Sequence, residues 1–192
     1  MKCLFVDCTL REESRTRVLA NEFVSSLDSK YEVKHLKLDE EDLKPLVGKF
    51  YQDRQTLLDK GELNHLRFRY AHELQEADLV VVAAPFWDLS FPALLKIYIE
   101  NCSVDGITFT TSQNGLVGLC KANSLVYLTT RGGIYEDGTL ESAIPQLENL
   151  CKFFGIKKLH TIAADGMDIV GYDSQASLDK AIQRAKELAR TL

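Results

Sequence analysis

Several large classes of protein are set aside by what this chain lacks. It has no apolar run near the roughly 18 residues that a membrane-crossing helix needs, and its first apolar stretch, Cys3-Leu4-Phe5-Val6, is too short for the core of a secretion signal. A cytoplasmic protein with no membrane partner is the expectation. There is no positive excess, since 23 Lys and Arg stand against 28 Asp and Glu for a net charge of -5. The basic residues are scattered, which leaves no field to draw a phosphate backbone, so nucleic acid is not an expected partner. The five cysteines (Cys3, Cys8, Cys102, Cys120, Cys151) are odd in number, widely spaced and without a Cys-x-x-Cys pair. They suit reduced, packed thiols rather than a disulfide framework or a metal site. None of the four prolines follows an aspartate, and there is no Gly-x-Gly-x-x-Gly, no repeat and no linker. With 192 residues and 45% hydrophobic content, a single domain over 1–192 is expected.

What is present is an alternation. Apolar runs stand at Cys3–Val6, Leu79–Ala84 and Leu125–Leu128, with weaker ones at Val33–Leu38 and Leu159–Ala163. Unbroken runs of this kind suit strands buried on both faces of a parallel sheet. Between and after them lie segments of helical period at Arg17–Leu27, Leu66–Gln75, Ala93–Asn101, Ala143–Phe154 and Leu178–Leu192. Five strands alternating with five helices predict an α/β doubly wound sheet with helices on both faces. The count of five favours the flavodoxin-like order 2-1-3-4-5. In such sheets ligands sit beyond the carboxyl ends of the strands. That directs attention to Asp7–Thr16, Pro85–Pro92 and Thr129–Gly138. Two longer excursions, Asp39–Asn64 and Ile107–Lys121, fall outside the alternation, and loops of such length are commonly lids or partner contacts.

The first loop, Asp7-Cys8-Thr9-Leu10-Arg11-Glu12-Glu13-Ser14-Arg15-Thr16, passes from strand to helix. Unpaired N–H groups at a helix start, with the hydroxyls of Ser14 and Thr16 and a nearby arginine, make a seat for a phosphate monoester. Ser14 would serve equally as a plain helix cap. A third reading makes Cys8 a nucleophile, because Cys8 followed by Arg15-Thr16 resembles the phosphate loop of low-molecular-weight tyrosine phosphatases. Here six residues intervene instead of five, and the Asp-Pro general acid of that family is missing.

The second loop, Pro85-Phe86-Trp87-Asp88-Leu89-Ser90-Phe91-Pro92, sets aromatic residues where loop tips are normally small and polar. A flat apolar ligand would account for Phe86 and Trp87, while Phe91 suits a core anchor. The third, Thr129-Thr130-Arg131-Gly132-Gly133-Ile134-Tyr135, carries paired glycines that let backbone approach a ligand. His35, His65, His72 and His160 have no motif partner and are read as structural or solvent-exposed.

On these motifs the chain resembles the FMN-dependent NADH azoreductase and quinone reductase family. APFWDLSFPALLKIYIENCSVDGITF (84–109) is similar to that family's Pro-Met-Tyr-Asn-Phe loop, following helix and Gly-x-Thr-Phe. Asn114-Gly115, Gly118-Leu119 and TTRGGIYEDG (129–138) resemble its later motifs, ending in Ser-Arg-Gly-Gly-Ile-His-x-Asp-Gly. The resemblance implies FMN held at the phosphate by Ser14, Arg15 and Thr16. It further implies that Pro85, Phe86, Trp87, Asp88 and Leu89 border the isoalloxazine, and that Thr130, Arg131, Gly132, Gly133 and Tyr135 complete its pyrimidine side. NADH or NADPH would be the donor, a quinone or azo compound the acceptor, with chemistry at flavin N5, no catalytic side chain and no metal. A homodimer is implied, with Ile107–Lys121 as a lid. A flavodoxin-type electron carrier is the alternative on the same fold. The sequence departs from the family pattern at Asp88 for Asn, Tyr135 for His and Trp87 for Tyr. A carboxylate at 88 cannot donate the hydrogen bonds of an amide.

Overall fold

A computed structural model describes residues 1–113, 115–135 and 138–192. In chain order its elements are β1 (Lys2–Asp7), α1 (Arg15–Ser25), β2 (Glu32–Lys37), α2 (Gly48–Asp59), α3 (Arg69–Glu76), β3 (Leu79–Ala83), α4 (Ala93–Cys102), β4 (Phe109–Ser112), β5 (Gly115–Gly118), β6 (Ser124–Thr130), α5 (Ala143–Phe154), β7 (Lys158–Ala164) and α6 (Ser174–Ala189). The apolar runs form one parallel sheet in the order β2-β1-β3-β6-β7, which is 2-1-3-4-5 counted among its own strands.

The strands are apolar at successive positions because both faces are covered. Side chains alternate across a strand, so Leu4, Val6, Val80, Val82, Leu125 and Tyr127 enter one core with α3, α4 and α5. Cys3, Phe5, Leu79, Val81, Val126 and Leu128 enter the other with α1 and α6. The edge strands β2 and β7 are only partly buried, which is why their runs are weaker in sequence. Among the described residues no helix is long and apolar enough to cross a membrane.

Both excursions take regular form. Within 39–64 lies α2, whose helical stripe is hard to see because the buried member of its inner face is Arg54. The segment 107–121 holds the antiparallel hairpin of β4 and β5. Its return is fastened at the amino edge of the sheet, where the Cys120 amide donates to the Phe154 carbonyl at 2.9 Å and the Lys121 amide to Gln75 at 3.0 Å. Gly118 lies against Gly155 so closely that a Cβ would stand 2.0 Å from the Gly155 nitrogen. This anchoring is on the edge opposite the loops at the carboxyl ends of the strands, so the hairpin is not fixed as a lid over those loops in its own chain.

Candidate active site

The first loop is built around Asp7, the buried last residue of β1. Its Oδ1 accepts from the Thr9 amide at 2.8 Å and the Thr9 hydroxyl at 2.5 Å. Ser14 caps α1, its Oγ accepting from the Arg17 amide at 3.2 Å, so the plain capping role is real. The amides of Leu10 to Ser14 find no acceptor among the described residues. They surround the positive end of the α1 dipole, the arrangement that accepts an anion. Arg17, which the sequence does not single out, grips this loop: Nε donates to Thr9 Oγ1 at 2.9 Å and Nη1 to the Glu12 carbonyl at 3.1 Å.

The loop after β3 closes on itself. Trp87 and Ser90 exchange both backbone hydrogen bonds at 2.9 Å. Asp88 and Leu89 between them have φ of 48° and 66°, as a primed two-residue turn requires. Aspartate tolerates that region, whereas leucine does so at a cost of about 1–2 kcal/mol. The Leu89 carbonyl accepts from the Ser142 amide at the start of α5, which braces the turn. Phe91 is buried in the core, while Phe86 stays half-buried and tilts against Tyr135 with ring centres 4.7 Å apart. The Arg11 guanidinium stands over the Trp87 ring at 5.9 Å, within cation–π range.

The third loop is clamped from below by a segment absent from the sequence reading, Asp165–Asp168 after β7. Met167, Asp168 and Gly166 donate their amides to the carbonyls of Arg131, Gly132 and Gly133 at 2.9–3.1 Å. Arg131 is buried and forms a two-pronged pair with Asp165, through Nε at 2.5 Å and Nη2 at 2.8 Å. Its side chain therefore holds the loop instead of facing the cleft. Thr130 is tied to the first loop by a 2.6 Å hydrogen bond between its hydroxyl and that of Thr16, and Arg15 donates to the Met167 carbonyl at 2.8 Å.

Together these loops enclose a cleft of about 650 Å³. Of the residues expected at a site, Ser14, Arg15, Thr16, Pro85, Phe86, Trp87, Thr130 and Gly132 line it, and Arg11, Glu12, Glu13, Arg17, Met167 and Asp168 are among those that join them. Asp88, Leu89, Arg131, Gly133 and Tyr135 lie in the same loops but are not among its lining side chains. The motif residues Asn114, Glu136 and Asp137 lie outside the described residues. Cys8 is fully buried, its amide bonded to the Ala83 carbonyl and its thiol pushed up to about 12 by burial. It neither reaches the cleft nor ionises near neutrality, which removes the nucleophilic reading. The donor set that remains fits a ligand with a phosphate at one end and a flat ring at the other: free amides at a helix start, then an indole, a phenyl ring and a glycine.

Known proteins agree with this geometry. An FMN-dependent NADH:quinone oxidoreductase of Clostridium perfringens is 33% identical to this chain, and one of Clostridium beijerinckii is 36% identical; each alignment covers 98% of both proteins. The crystal structure of an azoreductase from Bacillus anthracis superposes with a TM-score of 0.87 at 25% identity, covering 100% of both chains. Residues 1–189 match the sequence profile described as flavodoxin-like fold. The chain belongs to that flavodoxin-like family, in the branch that holds the FMN-dependent NADH:quinone oxidoreductases.

Proposed function

We propose that the protein is an FMN-dependent NAD(P)H oxidoreductase that passes electron pairs to quinones or azo compounds by ping-pong turnover. The observation that carries this reading is the joining, at one end of one sheet, of a helix-start anion cradle to an aromatic wall. The names of the full-length relatives supply the cofactor and the acceptor class. FMN held there would supply two-electron chemistry between a reduced nicotinamide and a quinone or azo acceptor.

The chain's own residues bind and orient. Ser14, Arg15 and Thr16, with the free amides before them, would hold the phosphate. Phe86 and Trp87 would pack on the ring, and the backbone of Gly132 and Gly133 would address its polar edge, with Thr130 beside them. Tyr135 packs against Phe86, Asp88 and Leu89 form the tight turn that follows Trp87, and Arg131 fixes the third loop through Asp165. Asp88 is exposed at the turn, where its carboxylate disfavours negative charge nearby. Homodimer formation and a cytoplasmic location belong to the same reading, the former checked by sedimentation equilibrium.

The test is an anaerobic visible spectrum of protein reconstituted with FMN. NADH or NADPH should bleach the flavin bands and a quinone should restore them. Bound flavin indifferent to both nucleotides would identify a carrier, and failure to bind FMN would overturn the proposal.

A further inference from the structure

The bonds around the first loop form one continuous chain from the sheet to the anion cradle. Asp7 is spent on both oxygens, Oδ1 on Thr9 and Oδ2 at 3.0 Å from Nε2 of His35, whose ring stacks on Phe5 at 4.5 Å. The Thr9 hydroxyl has one proton, and the acceptor-only carboxylate of Asp7 takes it. Its lone pair is thereby turned to Arg17 Nε at 2.9 Å. The other arms of Arg17 take the carbonyls of Thr9 and Glu12.

A trans peptide points its N–H opposite to its C=O. Drawing the Thr9 and Glu12 carbonyls onto the guanidinium therefore turns the amides of Leu10 and Glu13 away from it, free for an anion, and neither has an acceptor among the described residues. Glu12 and Glu13 line the cleft, but both are exposed, so their carboxylates are solvated, and the buried carboxylate of Asp7 is taken up by Thr9 and His35. We propose that Arg17 is the positioning residue of the phosphate cradle, set in place by Asp7 through Thr9, and that it selects the phosphorylated flavin without needing to touch the ring. The proposal rests on the reading of the cleft as an FMN site.

Because the relay acts on the phosphate end, its loss should separate two ligands that differ only there. Apoprotein is titrated with FMN and with riboflavin, following flavin fluorescence, for wild type, Arg17→Gln, Thr9→Val and Thr9→Ser, with thermal midpoints measured in parallel. Arg17→Gln should weaken FMN by about 10- to 100-fold, the scale of one to two lost charge-assisted contacts, while riboflavin stays within about twofold. Thr9→Val should show the same selectivity, and Thr9→Ser, which keeps the hydroxyl, should restore wild-type FMN affinity. Should Arg17→Gln fail to fold, the valine and serine pair carries the test alone. Equal weakening of both ligands, or undiminished FMN affinity, would overturn the relay. Wild-type protein that binds FMN no better than riboflavin would overturn the functional reading itself.

Discussion

Replacing Asp165 with Asn strikes the joint that holds the third loop. The carboxylate serves Arg131 through two hydrogen bonds and also accepts the Tyr135 amide at 3.3 Å, and the paired side chains are only 8% and 12% exposed. Removing one charge of a buried pair strands the other in a poorly solvated position, at a cost of about 3–5 kcal/mol. The Asn amide keeps one acceptor oxygen and the shape of the side chain, so the loss should sit near the lower end, about 3 kcal/mol. Urea denaturation followed by far-UV circular dichroism reads this directly. With a slope of about 2 kcal/mol per molar urea, the midpoint should fall by about 1.5 M. The double variant Arg131→Met with Asp165→Leu should recover most of that loss, because it strands no charge. A loss below about 1 kcal/mol in Asp165→Asn would place the pair with ordinary surface ion pairs and refute the reasoning.

Gly118→Ala should destabilise the protein by about 1–3 kcal/mol, since the new methyl meets the Gly155 backbone at 2.0 Å and that backbone must move, as thermal melting will show. Leu89→Asn should raise the melting stability of the apoprotein by about 0.5–1 kcal/mol, because asparagine accepts the φ of 66° that leucine resists; unchanged stability would mean that the turn stores no strain. The thiols of Cys3, Cys8 and Cys120 are pushed up to about 12 by burial, and that of Cys151 to about 11. Native protein should therefore label with a thiol-disulfide reagent far more slowly than urea-unfolded protein at pH 8, with rates rising as pH approaches those values.

The sheet was legible because its strands are covered twice. Runs such as Leu79–Ala84 leave no polar residue to break them, and all five sheet strands lie where the runs stand. The first three loops were legible because their composition is unusual for loops, aromatic at Trp87 and doubly glycine at Gly132-Gly133. Other parts carry no such mark. Helix α2 hides because Arg54 occupies its inner face. Asp165–Asp168 reads as an ordinary polar turn, and its role arises only from backbone pairing with residues some 34 positions earlier. Arg17 looks like a surface residue of α1 until the carbonyls of Thr9 and Glu12 are seen to turn toward it. The resemblance gives the motif arginine, Arg131, to the ligand, whereas its fork is filled by Asp165.

The cleft draws on parts separated by most of the chain, as the 152 positions between Arg15 and Met167 show. A ribosome releases these parts in order, and the first loop leaves the exit tunnel long before its partner beyond β7 exists. Until that late segment arrives, Arg15 has no carbonyl to reach and the third loop has nothing beneath it. A nascent chain halted between residues 92 and 165 therefore carries the first two loops and an unfinished cleft. Completion of the cleft therefore waits on the residues that follow the last strand of the sheet.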